Sequence, residues 1–273
     1  MREDFAIFIL THGRPNKQYT NHALDKAHYT GKRIMLLDDE DDTVKEYKEN
    51  YPDVEIILFD KQSYIDTSDT GTNKDQRKCI LYAKNAANDI AKDLGFSSYV
   101  VADDDIIRFR HRWKQDDGVT YTQEVKNMDA VIEAYIEFLL SGNISALAFG
   151  DARLYMGGKL LLGRIPYNFV FRNTAMQFEW RSAMYEDTVT PVVETINGTY
   201  TLGLPNIQFD MKQCDNNAEG GMSDVYAKMS IYERAFTAFM YHPPGIEIAN
   251  NSVGFELIKN NVFPNLISTA FKK

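Results

Sequence analysis

The chain has 273 residues, of which 44% are hydrophobic and 25% are charged, as in a globular protein with a full core. This length suffices for one large domain, or for one domain with an elaboration. A net charge of −9 argues against non-specific binding of nucleic acid over the whole surface, but it allows a local basic patch. No run approaches 18 apolar residues and the N-terminus has no signal-type apolar core, so we expect a cytoplasmic protein without membrane spans.

Short apolar runs alternate with amphipathic stretches over the first hundred residues. Strands are predicted at residues 5–10, 33–37, 55–59 and 99–102, and helices at 16–28, 43–50 and 75–94, with a polar loop over 60–74. This alternation predicts a mostly parallel sheet that helices cover on both faces. Ligands of such sheets lie at the carboxyl ends of strands. The segments 11–15, 38–42 and 103–105 follow strands in this way and are expected to converge on one crevice.

Three consecutive carboxylates, Asp103, Asp104 and Asp105, follow the strand predicted at residues 99–102. Adjacent negative charges between apolar segments repel each other unless a positive partner neutralises them. A divalent cation suits this role because hard cations prefer carboxylate oxygens. Alternation in an extended segment places Asp103 and Asp105 on one side and Asp104 on the other. We therefore expect Asp103 and Asp105 to share a metal while Asp104 braces the loop. A solvated acidic turn is the alternative.

The pattern changes after the triplet. Basic residues crowd around Phe109 and Trp113, and they are Arg108, Arg110, His111, Arg112 and Lys114. A helix is predicted over residues 129–140 and a strand over 144–149. Beyond Asp151 the pattern is less regular and richer in Gly, Asn, Tyr, Phe and Met. The absence of a repeat or a linker predicts a single domain.

Several segments, in this order along the chain, resemble the glycosyltransferases of the GT-A fold, which use nucleotide sugars. Residues 9–15 resemble the strand and turn that grip the nucleotide, and residues 103–105 resemble the metal-binding DxD motif. Residues 185–188 resemble the Glu-Asp motif that supplies the base in inverting members. The resemblance implies an α/β, Rossmann-like domain over residues 1–273, with a mostly parallel central sheet flanked by helices. Residues 1–110 would form the nucleotide-sugar-binding half and residues 111–273 an acceptor-side elaboration.

The resemblance also implies roles for single residues. A UDP-sugar donor would contact Thr11, His12, Arg14, Asp39, Arg77, Lys84, Asn85, Asp103 and Asp104. Mn²⁺ or Mg²⁺ would bind Asp103 and Asp105, with His242 as a late third ligand. Asp187 or Glu186 would deprotonate the acceptor hydroxyl. Structural alternatives stay open for these residues, among them turn residues bonded to backbone, a solvent-facing charged stripe, and carboxylates at a helix N-terminus.

The basic and aromatic cluster after the triplet suits an acceptor that has phosphates and flat bases. Arg110, Arg112 and Lys114 are the candidate acceptor residues, and Arg172 adds positive charge. In general character the chain is similar to phage glycosyltransferases that decorate hydroxymethylated pyrimidines in DNA, which implies DNA with a modified base as partner and the host cytoplasm as location. No protein partner is evident. A glycan or protein acceptor, a nucleotidyltransferase and a non-catalytic nucleotide-binding module are the alternatives.

Overall fold

The computed structural model describes residues 1–73, 77–152, 161–162, 167–176, 178–212, 228–250 and 256–260. The strands are β1 Phe5–Leu10, β2 Lys32–Asp38, β3 Glu55–Phe59, β4 Ser98–Asp103, β5 Ile106–Lys114, β6 Thr120–Glu124, β7 Ile144–Asp151, β8 Leu161–Leu162, β9 Phe169–Asn173, β10 Tyr200–Met211, β11 Ile246–Asn250 and β12 Glu256–Asn260. The helices are α1 Tyr19–Lys26, α2 Val44–Asn50, α3 Lys61–Thr67, α4 Ile80–Asp93, α5 Met128–Leu140, α6 Glu186–Ile196 and α7 Ile231–Tyr241.

One large sheet with the strand order β3-β2-β1-β4-β9-β7-β10-β5-β6 forms the centre of the molecule, and β8 pairs with β10. The strands β3, β2, β1 and β4 run parallel. Strand β9 is antiparallel to both β4 and β7, while β10 is parallel to β7 and antiparallel to β5. Strands β11 and β12 form a separate antiparallel pair. The predicted α/β fold is confirmed, and its run of four adjacent parallel strands comes from the first half of the chain.

Helices cover both faces of the sheet, because the central strands are apolar on both sides. From β1, Phe5, Ile7 and Ile9 enter a core that α1 and α5 cover. Ala6 and Phe8 enter a second core, which α4 covers. All six residues of β1 are buried, as expected for a strand between two layers of helices. Among the described residues, no helix is long and apolar enough to cross a membrane.

The predicted element positions agree closely with the structure in the parallel half and less well elsewhere. The strands predicted at residues 5–10 and 55–59 coincide with β1 and β3, and residues 99–102 lie within β4. The loop predicted at residues 60–74 is wrong in part, because it contains helix α3. Asp60 begins this helix by accepting a hydrogen bond from the Ser63 N–H at 3.1 Å, as N-cap residues do. Residues 216–223, whose two adjacent glycines and neighbouring asparagines predict a flexible loop near the site, lie outside the described residues.

Helix α1 holds the turn that carries the acidic triplet. The hydroxyl of Thr20 donates to the Asp103 carbonyl and accepts from the Ile106 N–H at 2.9 Å. The Thr20 N–H donates to the Asp104 carbonyl at 3.1 Å. Thr20 is fully buried, so water does not replace these bonds. One side chain thus fixes the backbone on both sides of the turn between β4 and β5.

We expect Thr20→Val to lower the free energy of unfolding by about 1–3 kcal/mol, the cost of leaving a buried polar group without its partner. Urea denaturation measures this change. Thr67→Val is the matched control, because the exposed Thr67 hydroxyl bonds only to a carbonyl of its own helix. The control is expected to change stability by less than about 0.5 kcal/mol. Equal changes in the two variants would contradict the structural role of Thr20.

Candidate active site

Asp104 faces away from the rest of the triplet and braces the turn. Its carboxylate accepts hydrogen bonds from the Thr11 hydroxyl at 2.7 Å and from the Arg14 guanidinium at 3.1 Å. Tyr47 extends the network through its hydroxyl, 2.7 Å from that of Thr11. Burial raises the pKa of Asp104 despite the opposing charge of Arg14 and the bond from Thr11. Thr11 and Arg14, two predicted donor-binding residues, therefore hold the acidic turn.

Asp103 and Asp105 interact electrostatically on the other side of the turn. Burial, and next the charge of Asp105, raise the pKa of Asp103 to about 8, while Lys84 opposes this shift. The Asp105 residue is itself buried. Two carboxylates so placed repel each other when both are ionised. Their oxygens are a donor set that a hard divalent cation fits.

Lys84 connects the triplet to helix α6. It extends from α4, is buried, and donates to a Glu186 carboxylate oxygen at 2.7 Å. Burial by itself lowers the pKa of Lys84, but attraction to Glu186, Asp103 and Asp187 outweighs this effect, and the net shift is upward. Lys84 therefore lies among carboxylates from two separate parts of the chain. The structure brings together four residues, Lys84, Asp103, Glu186 and Asp187, that the sequence singled out in three separate segments.

The two α6 carboxylates stand in the first turn of the helix, directly after Tyr185, whose backbone is left-handed with φ of 56°. Burial and the charge of Glu186 raise the pKa of Asp187 to about 7, although its own N–H and that of Thr188 favour the ionised form. A carboxylate with a pKa near neutrality is suited to accept a proton. Asp187 thus combines the features of a base with those of a carboxylate at a helix N-terminus.

A second charged cluster lies at the carboxyl ends of β1 and β2. His12 Nδ1 is 2.8 Å from Asp38 Oδ2, and the buried Lys61 donates to Asp38 Oδ1 at 3.2 Å. Asp38 is therefore buried between two basic groups, whereas Asp39 is exposed and accepts a hydrogen bond from the Lys61 N–H at 3.0 Å. The sequence favoured Asp39 as the base-contacting residue. The structure shows Asp38 to be the more strongly engaged of the two, and Asp39 keeps its role only as a prediction.

Two further donor-binding candidates have protein partners. The Arg77 guanidinium donates to Glu40 and, at 2.9 Å, to Gln62 on the surface. The Asn85 side chain bonds the backbone of Trp180 in both directions, accepting from its N–H at 2.8 Å and donating to its carbonyl at 3.1 Å. Both contacts are structural, so the donor-binding roles of Arg77 and Asn85 stay predictions.

His242 follows α7 and is its C-cap residue. Its carbonyl accepts hydrogen bonds from the N–H groups of Gly245 and Ile246, each at 2.9 Å. Across the part of the chain that the structure describes, no three His, Cys, Asp or Glu residues are grouped so as to hold a metal ion. The structure therefore does not assemble Asp103, Asp105 and His242 into a three-residue metal shell, and His242 as a ligand stays a prediction.

The basic cluster after the triplet forms an exposed hairpin of β5 and β6. Strand alternation places Arg108, Arg110, Arg112 and Lys114 on one face and Trp113 on the other. Asp210 of β10 forms ion pairs with the first two arginines, bonding Arg108 and, at 2.6 Å, Arg110, and so offsets part of their charge. Within the described ranges, no ion pair involves Arg112 or Lys114.

The hairpin also extends well away from the triplet. Nine residues lead from Ile106 to Lys114, a length of about 30 Å in an extended strand. Trp113 stacks on Tyr121 across the hairpin, with ring centroids 6.0 Å apart, and both rings are exposed. The cluster follows the triplet directly in sequence, but the end of β5 at Lys114 lies far from the triplet along the strand.

The positive charge expected from Arg172 does not contribute to this surface. Arg172 is buried within β9 and donates to Glu194 of α6 at 2.6 Å. A strand arginine between apolar residues gives no local signal of its buried partner, and neither Glu194 nor Lys61 stood out in the sequence. The sequence signal for Trp180 was equally weak, although its ring lies 4.5 Å from the Lys84 ammonium group.

Comparison with known proteins assigns the class. The sequence matches a family model described as TET-Associated Glycosyltransferase over residues 5–220. The protein is therefore a glycosyltransferase, which excludes the nucleotidyltransferase and the non-catalytic module. It belongs to the TET-associated glycosyltransferase family. No curated protein matches the chain.

Solved structures give distant likenesses. Glucosyl-3-phosphoglycerate synthase from Mycobacterium tuberculosis, in complex with Mn²⁺, UDP and glucosyl-3-phosphoglycerate, is 9% identical with a TM-score of 0.48, covering 94% of this chain and 86% of its own. The same synthase with Mn²⁺, UDP-glucose and phosphoglyceric acid is also 9% identical with a TM-score of 0.48, covering 95% and 87%. A mycobacterial protein is 8% identical with a TM-score of 0.49, covering 94% and 83%. Likenesses this distant support no statement about the function of this chain.

The contact with Asp38 raises the pKa of His12 above its ordinary value, with burial opposing the shift. We expect Asp38→Asn to lower the pKa of His12, measured by NMR titration of the imidazole ring. Protonation of His12 stabilises the fold below the unfolded-state pKa of about 6.5, and this stabilisation is lost as the pH rises through the higher folded-state value. Asp39→Asn is the control and should shift the pKa of His12 less. An equal shift in both variants would refute the specific pairing.

Proposed function

We propose that this glycosyltransferase moves a sugar from a nucleoside-diphosphate sugar to the hydroxymethyl group of a modified pyrimidine in DNA, with a divalent cation. The observation that carries the proposal is the convergence of Asp103, Lys84, Glu186 and Asp187 at the carboxyl end of β4. In this cluster the buried Lys84 lies between Asp103, a proposed metal ligand, and Asp187, the proposed base. The two halves of a sugar-transfer site are thus next to each other.

The donor side of the proposal uses the triplet. Asp103 and Asp105 would hold Mn²⁺ or Mg²⁺, because their buried, mutually repelling carboxylates supply hard oxygen ligands that need a positive partner. When bound, such a cation neutralises charge that develops on the diphosphate leaving group. Asp104, fixed by Thr11 and Arg14, keeps the turn in place. The UDP-sugar is the proposed donor, and its base would lie near the His12 and Asp38 cluster.

Asp187 is the proposed base, and Glu186 has a different task. Glu186 is engaged in the ion pair with Lys84, whereas the pKa of Asp187 is raised to about 7, close to the pH at which a base works best. In the step, the acceptor oxygen bonds to the anomeric carbon as the bond from that carbon to the diphosphate oxygen breaks. The proton of the acceptor hydroxyl goes to the Asp187 carboxylate.

The hairpin supports a long acceptor. Arg112 and Lys114 lie about 20–30 Å along β5 from the triplet, a distance that a small acceptor does not span and that about six to nine nucleotides do. The target base would have to leave the stack to reach Asp187. The family name associates these transferases with TET, which agrees with an acceptor base bearing an oxidised methyl group. On this proposal the enzyme acts on phage DNA in the host cytoplasm.

A glycan or protein acceptor is the second candidate. The observation that favours it is the pairing of Asp210 with Arg108 and Arg110, which offsets part of the positive charge of the hairpin. A polymer other than DNA could also extend from the carboxylates around Lys84 to the hairpin.

The decisive test is transfer itself. Purified protein is incubated with a panel of nucleotide sugars and with DNA that contains hydroxymethylcytosine, hydroxymethyluracil or no modified base, and the nucleosides are read by mass spectrometry. We expect a hexose or pentose mass on one hydroxymethylated base, with loss of transfer in EDTA and recovery with Mn²⁺. Transfer to a glycan or a protein, with none to any hydroxymethylated DNA, would replace the DNA acceptor by the second candidate.

We expect Asp187→Asn to lower kcat by about 10²–10⁴-fold, the usual contribution of a general base, with little change in donor affinity. Glu186→Gln is the companion variant, since it keeps the base but loosens Lys84. It should lower thermal stability and reduce kcat less than Asp187→Asn does. Wild-type turnover in Asp187→Asn would remove Asp187 as the base.

The variant with both Arg112→Ala and Lys114→Ala should bind DNA more weakly. The slope of the logarithm of its binding constant against the logarithm of salt concentration should become less negative by about 1.8, because each lost phosphate contact removes about 0.9. Hydrolysis of the donor in the absence of DNA should change little. A variant with Lys45→Ala and Lys48→Ala removes the same charge from the exposed face of α2 and serves as the control. An unchanged salt dependence in the hairpin variant would exclude this surface as a phosphate contact.

A further inference from the structure

Helix α6, which carries the proposed base, is held by buried ion pairs near both of its ends. Lys84 donates to Glu186 in the first turn at 2.7 Å, and Arg172 donates to Glu194 in the last turns at 2.6 Å. The two cations come from different elements, α4 and β9. The two glutamates are eight residues apart, which is about 12 Å along a helix axis. The helix is thereby tied to two parts of the scaffold.

Both cations also lie against one aromatic ring. The Lys84 ammonium is 4.5 Å from the centre of the Trp180 ring, and the Arg172 guanidinium is 5.5 Å from it. Attraction between a cation and an aromatic face is strongest for tryptophan and grows when water is excluded. Trp180 is fully buried, and Asn85 bonds its backbone on both sides. Trp180 is therefore the ring that contacts both cations that bind α6, while Arg172 also stacks on Phe178, 3.1 Å from its ring centre.

The presence of a tryptophan at this buried position has a cost. Its indole N–H is buried without a hydrogen-bond partner among the described residues, an arrangement that costs stability. Phenylalanine offers a ring face without that cost. A large indole face that reaches two cations at once is an advantage that a smaller ring lacks. The local geometry thus favours a role in placing the cations over a role in filling the core.

We propose that Trp180, together with the Arg172–Glu194 pair, is a positioning device that fixes α6 so that Asp187 meets the acceptor hydroxyl. This inference rests on the proposed role of Asp187 as the base. Val189 and Val192 pack the middle of α6 against α7, and the tie at Glu186 holds its first turn. The tie at Glu194 adds a polar contact in its last turns, which fixes the direction of the helix more closely. Trp180 and Arg172 act through α6 and touch neither the sugar nor the acceptor.

The first experiment removes the second tie without leaving a buried charge. Replacement of both members of a buried ion pair by apolar residues of similar volume is often neutral for stability, whereas removal of one member is not. The double variant with Arg172→Met and Glu194→Met should therefore unfold near the wild-type temperature. Its kcat should fall by about 10²-fold, the scale of a displacement of about 1 Å in a catalytic group, while KM for the donor stays within about twofold.

The second experiment acts on the ring. Trp180→Phe keeps an aromatic face of shorter reach and should lower kcat in part, whereas Trp180→Leu should lower it further, with an unchanged donor KM in both variants. Phe5→Leu is the matched control for core damage, because Phe5 is equally buried but lies in β1, in the other core. It should lose stability without a comparable loss of kcat. Recovery by the aromatic residue separates positioning from a purely structural role.

Fluorescence gives a readout that does not depend on activity. The chain has two tryptophans, Trp113 and Trp180, so Trp113→Phe leaves Trp180 as the reporter. Removal of the Arg172 and Glu194 pair in that background should shift the Trp180 emission, since a cation beside the ring is lost.

The outcomes separate the two proposals. A folded Met–Met double variant with wild-type kcat, or Trp180→Leu with wild-type kcat, would overturn the positioning device. Wild-type turnover in Asp187→Asn would instead overturn the base that the device is meant to place. If the double variant does not fold, the comparison between Trp180→Phe and Trp180→Leu decides alone, because equal kcat in these two variants excludes the role of the ring.

Discussion

The ion pair between Lys84 and Glu186 is the interaction on which the rest of the candidate site depends. A buried ammonium is costly unless carboxylates surround it, and here the carboxylates come from the end of β4 and the start of α6. Neither segment can move away without leaving an uncompensated charge in a region with little water. The predicted nucleotide-sugar-binding half and the predicted acceptor half of the chain are therefore joined electrostatically at the proposed site of sugar transfer.

The three aspartates of the triplet have the same side chain but different surroundings, which suit them to different roles. Asp104 has two protein donors, Thr11 and Arg14, which occupy its oxygens. Asp103 has a neighbouring carboxylate and a more distant cation, and its pKa is raised to about 8. The first situation suits a brace and the second suits a ligand for an added cation. The side chains differ only in the direction in which the backbone points them.

Much of the donor half could be predicted because its signals are local. Six apolar residues define β1, and a run of carboxylates directly after an apolar strand marks a ligand-bearing edge in a parallel sheet. Lys84 was predicted on a helix and lies on α4, while its contact with the donor stays a prediction. Its partner was not predictable, because the contact joins residues 102 positions apart. The same limit applies to Asp38. Its ion pair is with Lys61, which lies in helix α3, and the polar sequence of that helix predicted a loop instead.

The acceptor half departed further from expectation because strand pairing decides what its charges do. The antiparallel register between β10 and β5 places Asp210 opposite Arg108, and that single carboxylate forms ion pairs with both Arg108 and Arg110. The cluster is uniformly basic in sequence, but in the structure it has two parts. Arg108 and Arg110, near the site, are paired with Asp210, whereas Arg112 and Lys114 lie at the far end of β5. An arginine that is paired with a carboxylate of the neighbouring strand is not available to bind a phosphate. If DNA is the acceptor, its backbone must be recognised by the far end of the hairpin, while the reacting base is recognised separately beside Asp187.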